Sequence, residues 1–281
     1  MEITVLPQDL KIRSAQRIQI YNYRIDYGIH RSKINLTKNT ISFLRAGTKE
    51  VIGDDASVQI NNQSFVVMKS GNCLMTEKVS SSNKIYKSIL LFFSDESIID
   101  FLERNKLYSN SNKENKSFYI FEYDDFIEHF VQSLEQLLAI PAETQGRILK
   151  AKFEEIMFYL IHKHGASFLN SIIQQVDSAE SRLTNIVTNN KHKKLSLQEL
   201  AFLSNMSVST FKREFYRIYD KTPIKWFNEE RLEHISILLK TNQKRPIELY
   251  EEAGFENFSN FVQAFKKRYG VTPKQYQVEH L

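Results

Sequence analysis

The chain is short of cysteine, of histidine and of long apolar runs, and each shortage removes a class of protein. With Cys73 alone no intramolecular disulfide can form, which excludes a disulfide scaffold and predicts a reducing, cytoplasmic home. No histidine stands near Cys73 to activate it, so it reads as a semi-buried small apolar residue. No stretch approaches the roughly 18 apolar residues of a membrane span, and the opening MEITVLPQDLK lacks the apolar centre of a secretory signal. His30 is the only histidine before His129, too few for the ligand cluster of a metal-dependent cupin enzyme. His162 and His164 are two apart, which on a helix places them on different faces. No Gly-rich phosphate loop, nucleophile elbow or His-Glu-x-x-His occurs. These absences predict a protein that is no enzyme and holds no metal or cofactor.

What is present fits a globular chain of 281 residues, about two domains by size. The formal net charge of +5 is uneven. Residues 177–281 hold 17 Lys and Arg against 13 Asp and Glu, leaving 21 against 20 in residues 1–176. The excess in the last third suits a polyanionic partner as well as a solvated surface.

The first domain, residues 1–176, opens with β patterning. RIQIYNYRID, TISFLRAG, SVQI, SFVVMKSG and KIYKSILLFF are short β-branched or aromatic runs broken by turns at Gly47, Gly53 and Gly71, which predicts a small cupin-like barrel or sandwich. A barrel interior could be filled by side chains or could bind a small acidic effector. Arg24, Arg45 and Lys69 are the candidate partners for the effector, and ordinary solvent-facing cations are the alternative. From about Asp95 the period becomes helical. Ile127, Phe130, Val131, Leu134 and Leu137, then Leu149, Phe153, Ile156 and Leu160, recur at three and four with Pro141 between the two series. These helices, about 122–163, either cover the sheet or leave a stripe for a second subunit, and a homodimer through them is predicted.

The second domain, residues 177–281, is written twice. Ser209, Phe211, Phe215, Tyr219, Thr222, Pro223 and Trp226 align with Ser259, Phe261, Phe265, Tyr269, Thr272, Pro273 and Tyr276, fifty residues on. Two copies are too few for a solenoid, so the repeat is a duplicated supersecondary unit. Asp177 to Glu180 and Ser196 to Glu199 have capping-box spacing, and each opens a helix. After Asn205 and Met206 a second helix begins at Ser207 and runs to about Tyr219, which makes a helix-turn-helix with small Ala201 at its crossing. Its Phe211, Phe215, Ile218 and Tyr219 form the inward stripe, while Ser209, Thr210, Lys212, Arg213 and Arg217 face away. Short donors first and cations after are what a major-groove reader needs, and a basic solvated helix is the plainer alternative. Thr222-Pro223 starts a longer connecting helix. In the second copy IELYEEAGF is predicted as the first helix, and Asn257 to Tyr269 as the second, with Ser259, Asn260, Gln263, Lys266, Lys267 and Arg268 facing outward. The fold class expected is α+β: a β-rich first domain with flanking helices and an all-α second domain.

Over about residues 180–277 the chain resembles the AraC/XylS family of bacterial transcription regulators. The most specific match is Gly254, Phe255, Ser259, Phe261, Phe265, Lys266, Gly270, Thr272, Pro273 and Tyr276 at the family's spacing. The resemblance implies two helix-turn-helix units on promoter DNA, activation through RNA polymerase, and a first domain that senses an effector or dimerises. A ligand-responsive repressor is the alternative. The family's base-reading positions fall on Ser209, Lys212 and Arg213, and on Ser259, Asn260 and Gln263. Ser207, Thr210, Arg217, Asn257, Lys266 and Lys267 complete the expected DNA-binding set. Gln263 stands where many members have Arg, and Tyr250 where a small residue is usual, so the first copy is expected to dominate specificity.

Overall fold

The computed structural model of the chain describes residues 2–10, 12, 16–107, 116–173, 178–241 and 244–280. It divides into two compact units, Met1–Ser178 and Ala179–Leu281. Asp177 and most of the loop SNSNKENKS lie outside the described residues.

The first unit is built on two open five-stranded sheets. In chain order its strands are β1 (Ile3–Leu6), β2 (Ile18–Ile25), β3 (Ile29–Leu36), β4 (Asn39–Ala46), β5 (Thr48–Ile52), β6 (Ser57–Ile60), β7 (Ser64–Met68), β8 (Gly71–Lys78), β9 (Tyr86–Phe93) and β10 (Phe118–Glu122). One sheet runs β1-β3-β8-β5-β6 and the other β10-β7-β4-β9-β2. Of barrel and sandwich, the described residues form the sandwich. The chain crosses between sheets at Gly47, the one residue separating β4 from β5. Its φ of +92° suits glycine, and a Cβ there would collide with the Lys78 carbonyl oxygen.

The β4–β9 sheet is buried on both faces, which explains why SILLFF does not alternate. Leu44, Val66, Met68 and Tyr86 pack toward Ile34, Val51 and Met75 of the other sheet. Ile41, Phe43, Phe65, Val67, Ile89 and Leu91 pack instead against helices α1 (Asp95–Arg104), α2 (Asp125–Leu137), α3 (Ala142–His164) and α4 (Ser167–Ile172). The two helical stripes, Ile127 to Leu137 and Leu149 to Leu160, are buried in this same cluster. The amphipathic pattern that could have served a second subunit is used within the chain, because the apolar outer face of the sheet needs a cover. Phe126 and Phe158 remain outward, at 39% and 45% exposure.

The second unit is all helical: α5 (Ala179–Asn190), α6 (Leu197–Leu203), α7 (Val208–Tyr219), α8 (Pro223–Lys240), α9 (Pro246–Leu249), α10 (Phe258–Tyr269) and α11 (Pro273–Glu279). Helix α6 begins on the Ser196–Glu199 capping box and turns into α7 through Asn205, at φ +55°. The eighteen residues of α8 span about 27 Å at 1.5 Å each, and they join two similar cores. In the first, Phe215 lies 4.5 Å from Tyr219 and 5.7 Å from Trp226, with Tyr219 and Trp226 5.0 Å apart. In the second, Phe265 lies 4.5 Å from Tyr269 and 5.4 Å from Tyr276, with Tyr269 and Tyr276 5.2 Å apart. The same aromatic triangle closes both copies. They differ in the first helix. Helix α9 stops at Leu249 after four residues and continues as a turn, where the sequence predicted helix through the IELYEEAGF stretch. Tyr250 stands at that stop, in the place that buried Ala201 holds in the first copy, and Ala253 is buried three residues on.

Candidate nucleic-acid interface

Helix α7 exposes one clean stripe. Phe211 and Phe215 are fully buried, and Ser209, Lys212, Arg213, Tyr216 and Arg217 are exposed. The helix is started by Ser207, whose Oγ accepts the Thr210 N–H at 3.1 Å and lies 2.9 Å from the Ser209 and Thr210 hydroxyls. Ser207 is thereby committed first to the cap, which satisfies an orphan N–H of the first turn. Asn257 does the same for α10, accepting the Asn260 N–H at 2.9 Å. Along α10, Phe261 and Phe265 are buried while Ser259, Asn260, Gln263, Lys266 and Lys267 are exposed. Arg268 is exposed too, as expected, but is tied to α8, with Nη2 donating to Glu233 at 3.2 Å and its guanidinium over the Tyr269 ring.

The two stripes differ electrostatically. Arg213 Nε donates to Glu214 at 3.1 Å, and Arg217 donates to Glu214 at 2.9 Å and to Glu180 at 2.7 Å. Hydrogen bonds from Arg217 and Arg213 hold the Glu214 carboxyl below the usual carboxylate range. Lys212, Lys266 and Lys267 have no ion-pair partner among the described residues. The stripe of α7 therefore carries three cations against two on that of α10, but shares two of them with carboxylates. Sequence reasoning missed three residues here. Tyr216 was recoverable, since it lies seven residues after Ser209 and so on the same face. Glu214 was recoverable from its i, i+3 spacing to Arg217, whereas Glu180, thirty-seven residues away, was not.

The effector candidates are not brought together. Arg24 is exposed on β2, Arg45 is held by Glu128 at 2.8 Å, and Lys69 sits in the turn after β7. The cavity between the sheets, about 90 Å³, has other polar residues at its wall. Among them are Lys49, Glu77 and Tyr23, in an otherwise largely apolar lining that includes Leu36 and Met75. Lys49 and Glu77 are direct cross-strand partners, 3.3 Å apart and almost fully buried. Among the described residues no group of three His, Cys, Asp or Glu could hold a metal ion, and no helix is long and apolar enough to cross a membrane.

Two family models match the two units. One, described as the ExsA N-terminal regulatory domain, covers residues 39–172, and one described as a helix-turn-helix domain covers residues 200–278. The chain belongs to the AraC/XylS family. Among relatives in that family, the virulence regulon transcriptional activator VirF of Yersinia enterocolitica is 29% identical over 147 residues, 51% of this chain and 54% of VirF. The thermoregulatory protein LcrF of Yersinia pestis is 27% identical over 165 residues, 58% of this chain and 60% of LcrF. The chain thus spans only about half to three-fifths of these relatives' length. The solved ToxT of Vibrio cholerae aligns over 94% of this chain and 98% of its own at 16% identity, with a TM-score of 0.39.

Proposed function

We propose that this AraC/XylS-family chain is a promoter-binding transcription activator that reads two adjacent major-groove segments, one with α7 and one with α10. The observation that carries the reading is the doubled construction: two helices of twelve residues, each closed by the same aromatic triangle and each exposing a polar and basic stripe. In this reading Ser209, Thr210, Lys212 and Arg213 meet base edges in the first segment, and Ser259, Asn260 and Gln263 in the second. Arg217, Lys266 and Lys267 meet phosphates, while Ser207 and Asn257 place the helix ends. Residues 177–281 are the DNA-binding domain and residues 1–176 the regulatory one. RNA polymerase is the partner implied by activation, in keeping with the name of VirF, and the cytoplasm is where such a partner would be met. Homodimerisation through helices 122–163 belongs to the same reading and falls to the outward Phe126 and Phe158. No catalytic role is proposed. The test is a salt-dependent mobility shift of the full chain on DNA selected from a random pool against unselected DNA. Equal affinity for both refutes sequence reading.

A small-molecule input to the first domain has one observation in its favour, the cavity between the sheets. Its polar wall holds a paired Lys49 and Glu77, so a neutral head that both donates and accepts hydrogen bonds suits it better than the acidic effector first expected. Calorimetry with ligands retained from a neutral amphiphile library tests this, and retention of acids alone contradicts it.

A further inference from the structure

Helix α7 carries an aromatic side chain where its function would lead one to expect only polar ones. Tyr216 is 55% exposed, on the stripe of Ser209, Lys212 and Arg213. The other aromatic residues of α7 are accounted for: Phe211 and Phe215 are buried, and Tyr219 packs on Trp226. A single exposed ring is ordinary on a protein surface, so its position has to carry the argument. Residues 209, 212, 213 and 216 follow the i, i+3, i+4, i+7 spacing by which a helix lying in the major groove turns side chains to base edges. Seven residues at about 100° each bring Tyr216 to within about 20° of Ser209, roughly 10.5 Å further along the axis. That is about three base pairs at 3.4 Å.

The chemistry of the ring narrows what it can read. A phenol donates and accepts at a single oxygen, so it cannot engage a base edge at two atoms in the bidentate way that Arg or Gln can. The major groove offers one apolar feature, the 5-methyl of thymine. We propose that Tyr216 is a specificity-determining residue whose ring packs on a thymine methyl about three base pairs from the base met at Ser209. The counterpart fifty residues on is Lys266, which has no ring, so this preference belongs to the first copy alone and makes the two half-segments chemically unequal. The proposal rests on the DNA-reading function of α7.

Deoxyuridine differs from thymidine by that methyl alone and supplies the test. Full-length protein selects its site from a random pool, and each thymine of the selected site is then replaced in turn by deoxyuridine. One replacement in the segment read by α7 is expected to weaken the wild type about fourfold, the worth of one methyl group removed from water. Tyr216→Ala should bind the thymidine and deoxyuridine sites alike, while Tyr216→Phe keeps the difference because the ring survives. The proposal is overturned if no replacement affects the wild type, if Tyr216→Ala keeps the full difference, or if Tyr216→Phe abolishes it, which would assign the role to the hydroxyl. Failure to select any site overturns the underlying DNA-reading function, a result distinct from selection without methyl sensitivity.

Discussion

The exposed cations set how steeply binding should fall with salt. Lys212, Arg213 and Arg217 on α7 and Lys266 and Lys267 on α10 are the cations of the two stripes. Arg217, Lys266 and Lys267 are the ones placed at phosphates, and if each neutralises one, log K should fall with log salt at a slope of about −2.7, or about fortyfold between 50 and 200 mM. Lys267→Ala should reduce the slope by about 0.9. Glu214→Gln acts in the opposite direction. In the free protein Glu214 already holds Arg213 and Arg217, at 3.1 and 2.9 Å, so the DNA must displace it. Removing its charge should tighten binding at 50 mM salt, and because exposed charges are screened within about 10 Å at 0.1 M, the gain should shrink as salt rises. Fluorescence anisotropy on one labelled duplex across a salt series measures both variants. Weaker binding by Glu214→Gln at 50 mM would refute the reasoning, since it would make the carboxylate a support of the bound helix and not a competitor of the DNA.

Two predictions concern the first unit. Lys49→Met leaves Glu77 buried without its paired cation and should cost about 3–5 kcal/mol in urea unfolding, whereas the double variant Lys49→Met, Glu77→Leu should recover most of that loss. No recovery would show that the pair does not act as a unit. Cys73 is 2% exposed and burial pushes its thiol up to about 12, so at pH 8 it should resist thiol reagents in the native protein and react in urea. Native-state labelling at the denatured rate would contradict its placement in the core.

The sequence made the second unit far more legible than the first. A twelve-residue helix on a small core must bury residues four apart, so Phe211 with Phe215 and Phe261 with Phe265 announce both the helix and its inner face. The Thr-Pro pairs fix the start of the next helix. In the sandwich the same reasoning weakens. Strand β8 carries Glu77 inward to meet Lys49, so a buried strand reads as polar, and β9 is apolar on both faces and shows no period. The stripes of α2 and α3 told that one face is buried but not against what, which is why a sheet cover could pass for a dimer seam. At the interface, side-chain type and spacing located the exposed residues. The electrostatic restraint on Arg217 depended on Glu180 from another helix, a contact made only by folding.

Helices α7 and α10 are proposed to read two separate groove segments. Methylation interference on the selected site measures this directly with the full chain. Two clusters of interfering purines are expected, about one helical turn apart on one face of the DNA. Arg213→Ala should remove the effect of one cluster and Gln263→Ala that of the other. A single cluster, or two that respond together to either substitution, would contradict it.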